Sequence, residues 1–276
     1  MRCAAKRHNS GMGHVDVDGM RIAYQRAGSG PVLVMLHGAP TDSRTWRWML
    51  PDLASDHTVI AWDAPGFGES SDIDDGWRAP QFADALAAFV AALGLERPHI
   101  VGHSFGTMVA LSFFQRHPEV PASLVLIGGY AGWAGSLPPE EVARRLRMFV
   151  GMAELGEAFD PRSYPGLFSE RIPPDRAAVL AAMMHENIRP PSVRAAGFIG
   201  AETDLRPVLP TVDVPTLVLH GAADVRSPLA NAEALHAAIP RSQLVVLPGL
   251  GHACVVEDPE TCAAEIRRFV STVNCS

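Results

Sequence analysis

Five consecutive residues, Gly102-His103-Ser104-Phe105-Gly106, carry the densest chemical signal in this 276-residue chain. They follow Pro98-His99-Ile100-Val101 and precede the helix-forming run Thr107 to Phe114. The pattern predicts a strand, a tight turn and a helix. The flanking glycines leave a strained serine room to project Oγ, because a Cβ on either side would strike the neighbouring strand or helix. The N–H groups that open the helix are free to bind an oxyanion. A serine hydroxyl is a poor nucleophile near neutral pH and needs a base within hydrogen-bond reach. His252, at the end of Pro248-Gly249-Leu250-Gly251-His252, is the candidate base. Asp224, closing His220-Gly221-Ala222-Ala223-Asp224, is the candidate to accept the second ring N–H and fix the tautomer.

The elements that must position these groups are short apolar runs. Val32–Leu36 ends in His37-Gly38-Ala39-Pro40, and Val59–Trp62 ends in Asp63-Ala64-Pro65-Gly66-Phe67-Gly68-Glu69-Ser70. Thr216–Leu219 leads to Asp224, and Leu244–Leu247 leads to His252. Polar residues thus follow the carboxyl ends of strands, where open parallel sheets place their sites. Residues 14–18 and 20–26 alternate around Asp18-Gly19, which reads as a hairpin forming an antiparallel edge. Helices are expected over 43–53, capped by Asp42 or Ser43, and over 80–93, 105–117, 229–239 and 259–273. Runs of this kind, alternating with helices, predict a mostly parallel sheet covered on both faces. Trp46 and Trp48 are expected to pack, although one turn of their helix can border a pocket. From 131 to 208 the pattern changes to helical stretches near 139–158, 174–187 and 191–201, broken by prolines. That segment reads as a helical lid.

At these motifs the chain resembles the α/β-hydrolase superfamily, in particular its HGxP branch of small bacterial hydrolases, from about residue 14 to about residue 273. The resemblance implies an α/β-hydrolase fold, a mostly parallel central sheet flanked by helices with an inserted helical lid. It implies a core of 14–130 and 209–274, a lid of 131–208, and residues 1–13 as a disordered N-terminus. Serine, aspartate and histidine stand in the family's triad order. Some relatives place the acid after the strand Ser123–Ile127, but Gly128-Gly129 follow it here, which leaves Asp224. Glu257 and Asp258 are the reserve candidates. The oxyanion hole is expected from the backbone N–H groups of Phe105 and Ala39, since Pro40 has none. His37 and His103 occupy positions that in the family hydrogen-bond loops. His220 is expected to pack, and His185 to lie on a solvated helix face.

Ser104 sets the chain apart from epoxide hydrolases and haloalkane dehalogenases, which use aspartate at the elbow. Phe105 stands where proline iminopeptidases usually carry tryptophan and perhydrolases methionine, and Ala253 where ring-cleavage hydrolases typically carry tryptophan. The expected function is a cofactor-free serine hydrolase cleaving a small, hydrophobic carboxylic ester or lactone through an acyl-enzyme. The alternatives are an amide or C–C bond hydrolase with the same triad, a ligand-binding protein on this scaffold, and a cofactor-independent oxygenase. Trp133, Met148, Phe149, Met152, Phe159, Phe168, Met183 and Met184 are the apolar supply from which a pocket could be lined; most are expected to fill the lid's own small core, and only Trp133 is singled out as a substrate contact.

Composition bounds the rest. With 47% hydrophobic residues, one large domain with an inserted subdomain is the economical reading. A net charge of −7 with no basic stripe argues against nucleic acid as a partner. Arg144, Arg145 and Arg147 form the densest basic cluster, read as a solvated helix face offset by Glu140 and Glu141. Cys3, Cys254, Cys262 and Cys275 lack metal spacing and read as free thiols, with Cys254 near enough to His252 to border the pocket. No secretory signal and no apolar stretch of about 20 residues is found, so a cytoplasmic protein with no membrane association is expected. The expected partner is a small-molecule substrate, with no metal, and homodimerisation is left open.

Overall fold

The computed structural model describes residues 11–274. Strands β1 (Gly11–Val17) and β2 (Met20–Gly28) form the expected hairpin, turning at Asp18-Gly19. β1 starts at Gly11, so residues 11–13, expected in a disordered N-terminus, are strand and pair with Arg26, Gln25 and Tyr24. The rest of that expected N-terminus, with Cys3, and Cys275 at the other end, lie outside the described residues. The chain continues through β3 (Val32–Leu36), α1 (Leu50–Leu53), β4 (Thr58–Trp62), α2 (Ala79–Ala92), β5 (His99–His103), α3 (Phe105–Arg116) and β6 (Ser123–Ile127). After β6 come α4 (Pro139–Leu155), α5 (Pro174–Glu186) and α6 (Pro190–Glu202), and then β7 (Thr216–Gly221), α7 (Leu229–Ala238), β8 (Ser242–Leu247), α8 (Cys254–Glu257) and α9 (Pro259–Asn274).

The eight strands make one sheet in the order β1-β2-β4-β3-β5-β6-β7-β8, antiparallel at β1–β2 and β2–β4 and parallel thereafter. Strands β3, β4, β5, β6 and β7 are buried almost throughout, which explains their continuous apolar runs. β5 lies at the centre, between β3 and β6. It therefore delivers Ser104 to the middle of the sheet's carboxyl edge. Helix α3, which continues from it, is buried over its first ten residues. Helix α9 is amphipathic and buries Cys262, Ala263, Ile266, Phe269 and Val270, the spacing of one helical face.

The expected helix 43–53 is not continuous. Ser43–Trp46 forms a 3₁₀ turn, capped by Asp42, and only Leu50–Leu53 is α-helical. Pro51 lies in the first turn of the second piece, where its missing N–H costs nothing but where it cannot extend a helix begun upstream. The inserted helices begin at Pro139, Pro174 and Pro190, each at a first helical position that favours proline. Among the described residues no helix is long and apolar enough to cross a membrane.

Candidate active site

Ser104 sits between β5 and α3 with φ +52° and ψ −111°, a conformation that L-residues rarely adopt. The flanking glycines are required by contact. A Cβ on Gly106 would lie 2.3 Å from the Leu36 carbonyl oxygen, and one on Gly102 would lie 2.4 Å from that of Gly106. The first clash is with strand β3 and the second with the first turn of α3.

His252 follows β8 on the glycine loop, and its Nε2 is 2.9 Å from Ser104 Oγ. Its Nδ1 is 2.8 Å from Asp224 Oδ2. A carboxylate can only accept, so Nδ1 carries the proton and Nε2 presents a lone pair to the hydroxyl. Asp224 Oδ1 accepts the backbone N–H groups of Arg226 and Ser227, each at 2.8 Å. Burial pushes the Asp224 carboxyl upward, but His252 and the Ser227 N–H outweigh it and hold it below the usual carboxylate range. The three groups expected from sequence therefore meet in one hydrogen-bonded line.

Glu257 and Asp258 are engaged elsewhere. Glu257 accepts from Ser169 Oγ at 2.7 Å and from the Gly251 N–H at 2.7 Å, fixing the loop that carries His252. Asp258 accepts from Thr261 at the start of α9. His37 donates from Nδ1 to the Gly38 carbonyl and accepts the Ala64 N–H at Nε2, so it ties two loops together. His103 donates from Nε2 to the His252 carbonyl oxygen at 2.8 Å. Burial, helped by the adjacent His252, pushes its pKa down to about 4. It stays neutral beside the Ser104–His252–Asp224 line. His220 is fully buried within β7, and His185 is exposed.

Helix α3 opens with Phe105, whose N–H, like that of Ala39, is engaged by no other protein group among the described residues. Ala39, Ser104 and His252 line one narrow pocket with a cavity volume of about 20 Å³. A larger, open groove of about 750 Å³ beside Asp72 and Arg189 shares no residue with it. Thr41 and Thr45 border the pocket from the 3₁₀ region, as one turn there was expected to do. Trp46 and Trp48 pack instead: Trp46 is fully buried with its ring 6.4 Å from that of His103, and Trp48 lies beside the Arg47 and Arg176 guanidinium groups.

The inserted segment contributes Tyr164, Leu167 and Leu180 to the pocket. Trp133 does not line it. Its ring fills the space over Gly200 of α6, where a Cβ would come within 2.3 Å, and it packs on Phe149 with ring centroids 5.4 Å apart. None of the other aromatic and methionine residues of that apolar supply lines the pocket. Ala253 and Val256, rather than Cys254, line the side next to His252. Cys254 and Cys262 are buried free thiols.

Arg145 also departs from expectation. It is only 4% exposed, and from α4 it donates to Glu141 Oε1 (2.6 Å), to Tyr130 Oη (2.8 Å) and to the Arg226 carbonyl (2.6 Å). Among the described residues no group of three or more His, Cys, Asp or Glu side chains is placed to hold a metal.

Residues 33–265 match the family described as the Alpha/beta hydrolase family. A pimeloyl-[acyl-carrier protein] methyl ester esterase of Aromatoleum aromaticum is 31% identical over 265 residues, covering 87% of this chain and 98% of its own. A thermophilic esterase from Thermogutta terrifontis, solved with malate bound, is 30% identical with a TM-score of 0.82, covering 97% of this chain and 99% of its own. Est816, described as an N-acyl homoserine lactone degrading enzyme, is 27% identical with a TM-score of 0.77, covering 93% and 100%. With the match spanning most of the sheet and the whole inserted segment, the chain belongs to the alpha/beta hydrolase family.

Proposed function

We propose that the protein is a serine hydrolase that cleaves a small carboxylic ester or lactone through an acyl-enzyme. The observation that carries this reading is the line from Ser104 Oγ through both nitrogens of His252 to Asp224. Ser104 Oγ attacks the carbonyl carbon while His252 Nε2 takes its proton. The oxyanion that forms is held by the N–H groups of Ala39 and Phe105, each worth about 3 kcal/mol of barrier if lost. Collapse breaks the carbon–oxygen bond to the alcohol, which leaves with the proton from His252. Water then repeats the sequence on the acyl-enzyme and frees Ser104. Asp224 stabilises the imidazolium in both halves.

The relatives support ester or lactone substrates, as a methyl ester esterase, an esterase and an enzyme that degrades acyl homoserine lactones. Leu167, Leu180, Ala253 and Val256 line the pocket and suit a compact, largely apolar chain. The test is intact-protein mass spectrometry after a fluorophosphonate, followed by turnover of 4-nitrophenyl butyrate. The expected result is one adduct in the wild type and none in Ser104→Ala, with kcat/KM falling by at least about 10⁴-fold. Turnover near the wild-type rate in Ser104→Ala overturns the assignment. A panel of esters, lactones and amides then ranks the bond cleaved.

A further inference from the structure

Two arginines are buried among the described residues, and the protein treats them differently. Arg145 has a carboxylate partner, Glu141, at 2.6 Å. Arg226, 7% exposed, makes no ion pair among the described residues. Its Nη1 donates to the Pro165 carbonyl at 2.8 Å and its Nη2 to Tyr164 Oη at 3.1 Å, both neutral acceptors, and the guanidinium lies 4.1 Å over the Tyr164 ring. Its Nε–H is buried and has no partner among the described residues. A buried charge normally comes with a counter-charge, because desolvation without one costs several kcal/mol. Arg226 lines the same pocket as Ser104 and His252.

The guanidinium is also held in place. Its backbone N–H is fixed on Asp224, and its carbonyl accepts from both Tyr130 Oη (2.5 Å) and Arg145 Nη2 (2.6 Å). The chain at Gly166 passes so close that a Cβ there would lie 3.0 Å from Arg226 Cγ, and Gly166 has φ +69°. A rigid, uncompensated cation in a reaction pocket is a preorganised anion receptor.

We propose that Arg226 is a specificity residue that binds a carboxylate carried by the substrate. The preferred substrates are then esters whose apolar chain, lying against Leu167, Leu180 and Val256, ends in a free carboxylate. That group supplies the negative charge the guanidinium lacks. The proposal rests on the reading of Ser104 as the nucleophile of this pocket.

The test compares kcat/KM within two matched pairs. One places the charge on the acyl side (4-nitrophenyl hydrogen glutarate against 4-nitrophenyl methyl glutarate). The other places it on the alcohol side (4-butanoyloxybenzoate against its methyl ester). In at least one pair the wild type is expected to favour the carboxylate by about tenfold or more. Arg226→Gln is expected to cut that ratio by about 10- to 100-fold, with Arg226→Lys retaining part of it. Using a ratio within one protein cancels general damage to the neighbouring acid turn. Absence of preference in both wild-type pairs, or a preference that survives in Arg226→Gln, overturns the proposal.

Calorimetry with glutarate on the Ser104→Ala protein separates the two readings. Glutarate binding that is absent with glutaramide and lost in Ser104→Ala/Arg226→Gln supports the receptor even if no ester is turned over. No glutarate binding alongside normal ester turnover sinks the receptor and leaves the hydrolase reading standing.

Discussion

Asp224 shows how much one residue has to do at once. One carboxylate oxygen closes the acid turn on two backbone N–H groups, and the other orients His252. The two duties predict the outcome of Asp224→Asn. The amide oxygen can still accept from Arg226 and Ser227, so the turn keeps its shape. The amide NH₂ then faces His252 Nδ1 and forces that nitrogen to accept. The ring proton moves to Nε2, where it meets the Ser104 hydroxyl with no lone pair to offer. We expect kcat to fall by about 10⁴-fold with little change in melting temperature, measured on an activated ester and by circular dichroism. A loss of less than tenfold would show that another group fixes the tautomer. Glu257 is committed elsewhere, to Ser169 Oγ and the Gly251 N–H. Ser104 itself carries a backbone cost of about 1–3 kcal/mol, and the packing of Gly102 and Gly106 against neighbouring backbone is what maintains it.

At the scale of elements, α4 is coupled to the turn after β7 through Arg145. Its guanidinium joins Glu141 of its own helix to Tyr130 after β6 and to the Arg226 carbonyl beside the acid. Arg145→Met keeps the stem's volume and removes all three bonds. The expected cost is about 1–3 kcal/mol in a denaturant titration, with kcat on a neutral ester lowered by several-fold. Unchanged stability and rate would mean that the acid turn holds itself. This link was not visible in the sequence, where Arg145 four residues after Glu141 looks like an exposed helix pair. Nothing local reports that α4 runs over a turn 80 residues away. The same blindness explains Trp133. Composition identifies the apolar side chains of the inserted segment, but not which of them fill α4–α6 packing and which face the pocket. Tyr164 and Leu167 lie in the irregular stretch between α4 and α5, where no periodicity exists to read. The sheet was legible for the opposite reason, since buried parallel strands are short apolar runs and each site residue stands beyond the end of one. The first covering helix misled because residues 43–53 have helical spacing, while Asp42 and Pro51 divide them into two short turns.

For the whole molecule, the buried histidines set how the fold responds to acid. His37, His99, His103 and His220 all have lowered pKa values, with burial the largest cause in each. In the unfolded chain such groups take up protons near 6.5, whereas folded His103 resists until about 4. Their contribution is therefore complete above 6.5 and drains away as pH falls below it, down to about 4 for His103. For His103 alone this is on the order of 3 kcal/mol. A second loss follows from carboxylates whose pKa values are depressed. Glu141, held chiefly by Arg144 and also by Arg145, goes down to about 2, so its contribution is present above 4.5 and lost between there and 2. Asp63, raised mainly by burial, works in the opposite sense and recovers a part. Melting temperature is thus expected to fall steadily from pH 7 to pH 4, and His103→Gln is expected to flatten the upper part of that slope. On the proposed mechanism activity is also expected to fall in acid, since His252 must be neutral to take the Ser104 proton. The two are separable by returning samples to pH 7.5. A catalytic limb reverses at once with no change in near-ultraviolet circular dichroism, whereas activity lost through unfolding returns on the refolding timescale. A melting temperature that stays constant from pH 6.5 to pH 4 would mean that the histidines take up protons equally in both states, and the burial that protects the proton-transfer line would have to be reconsidered.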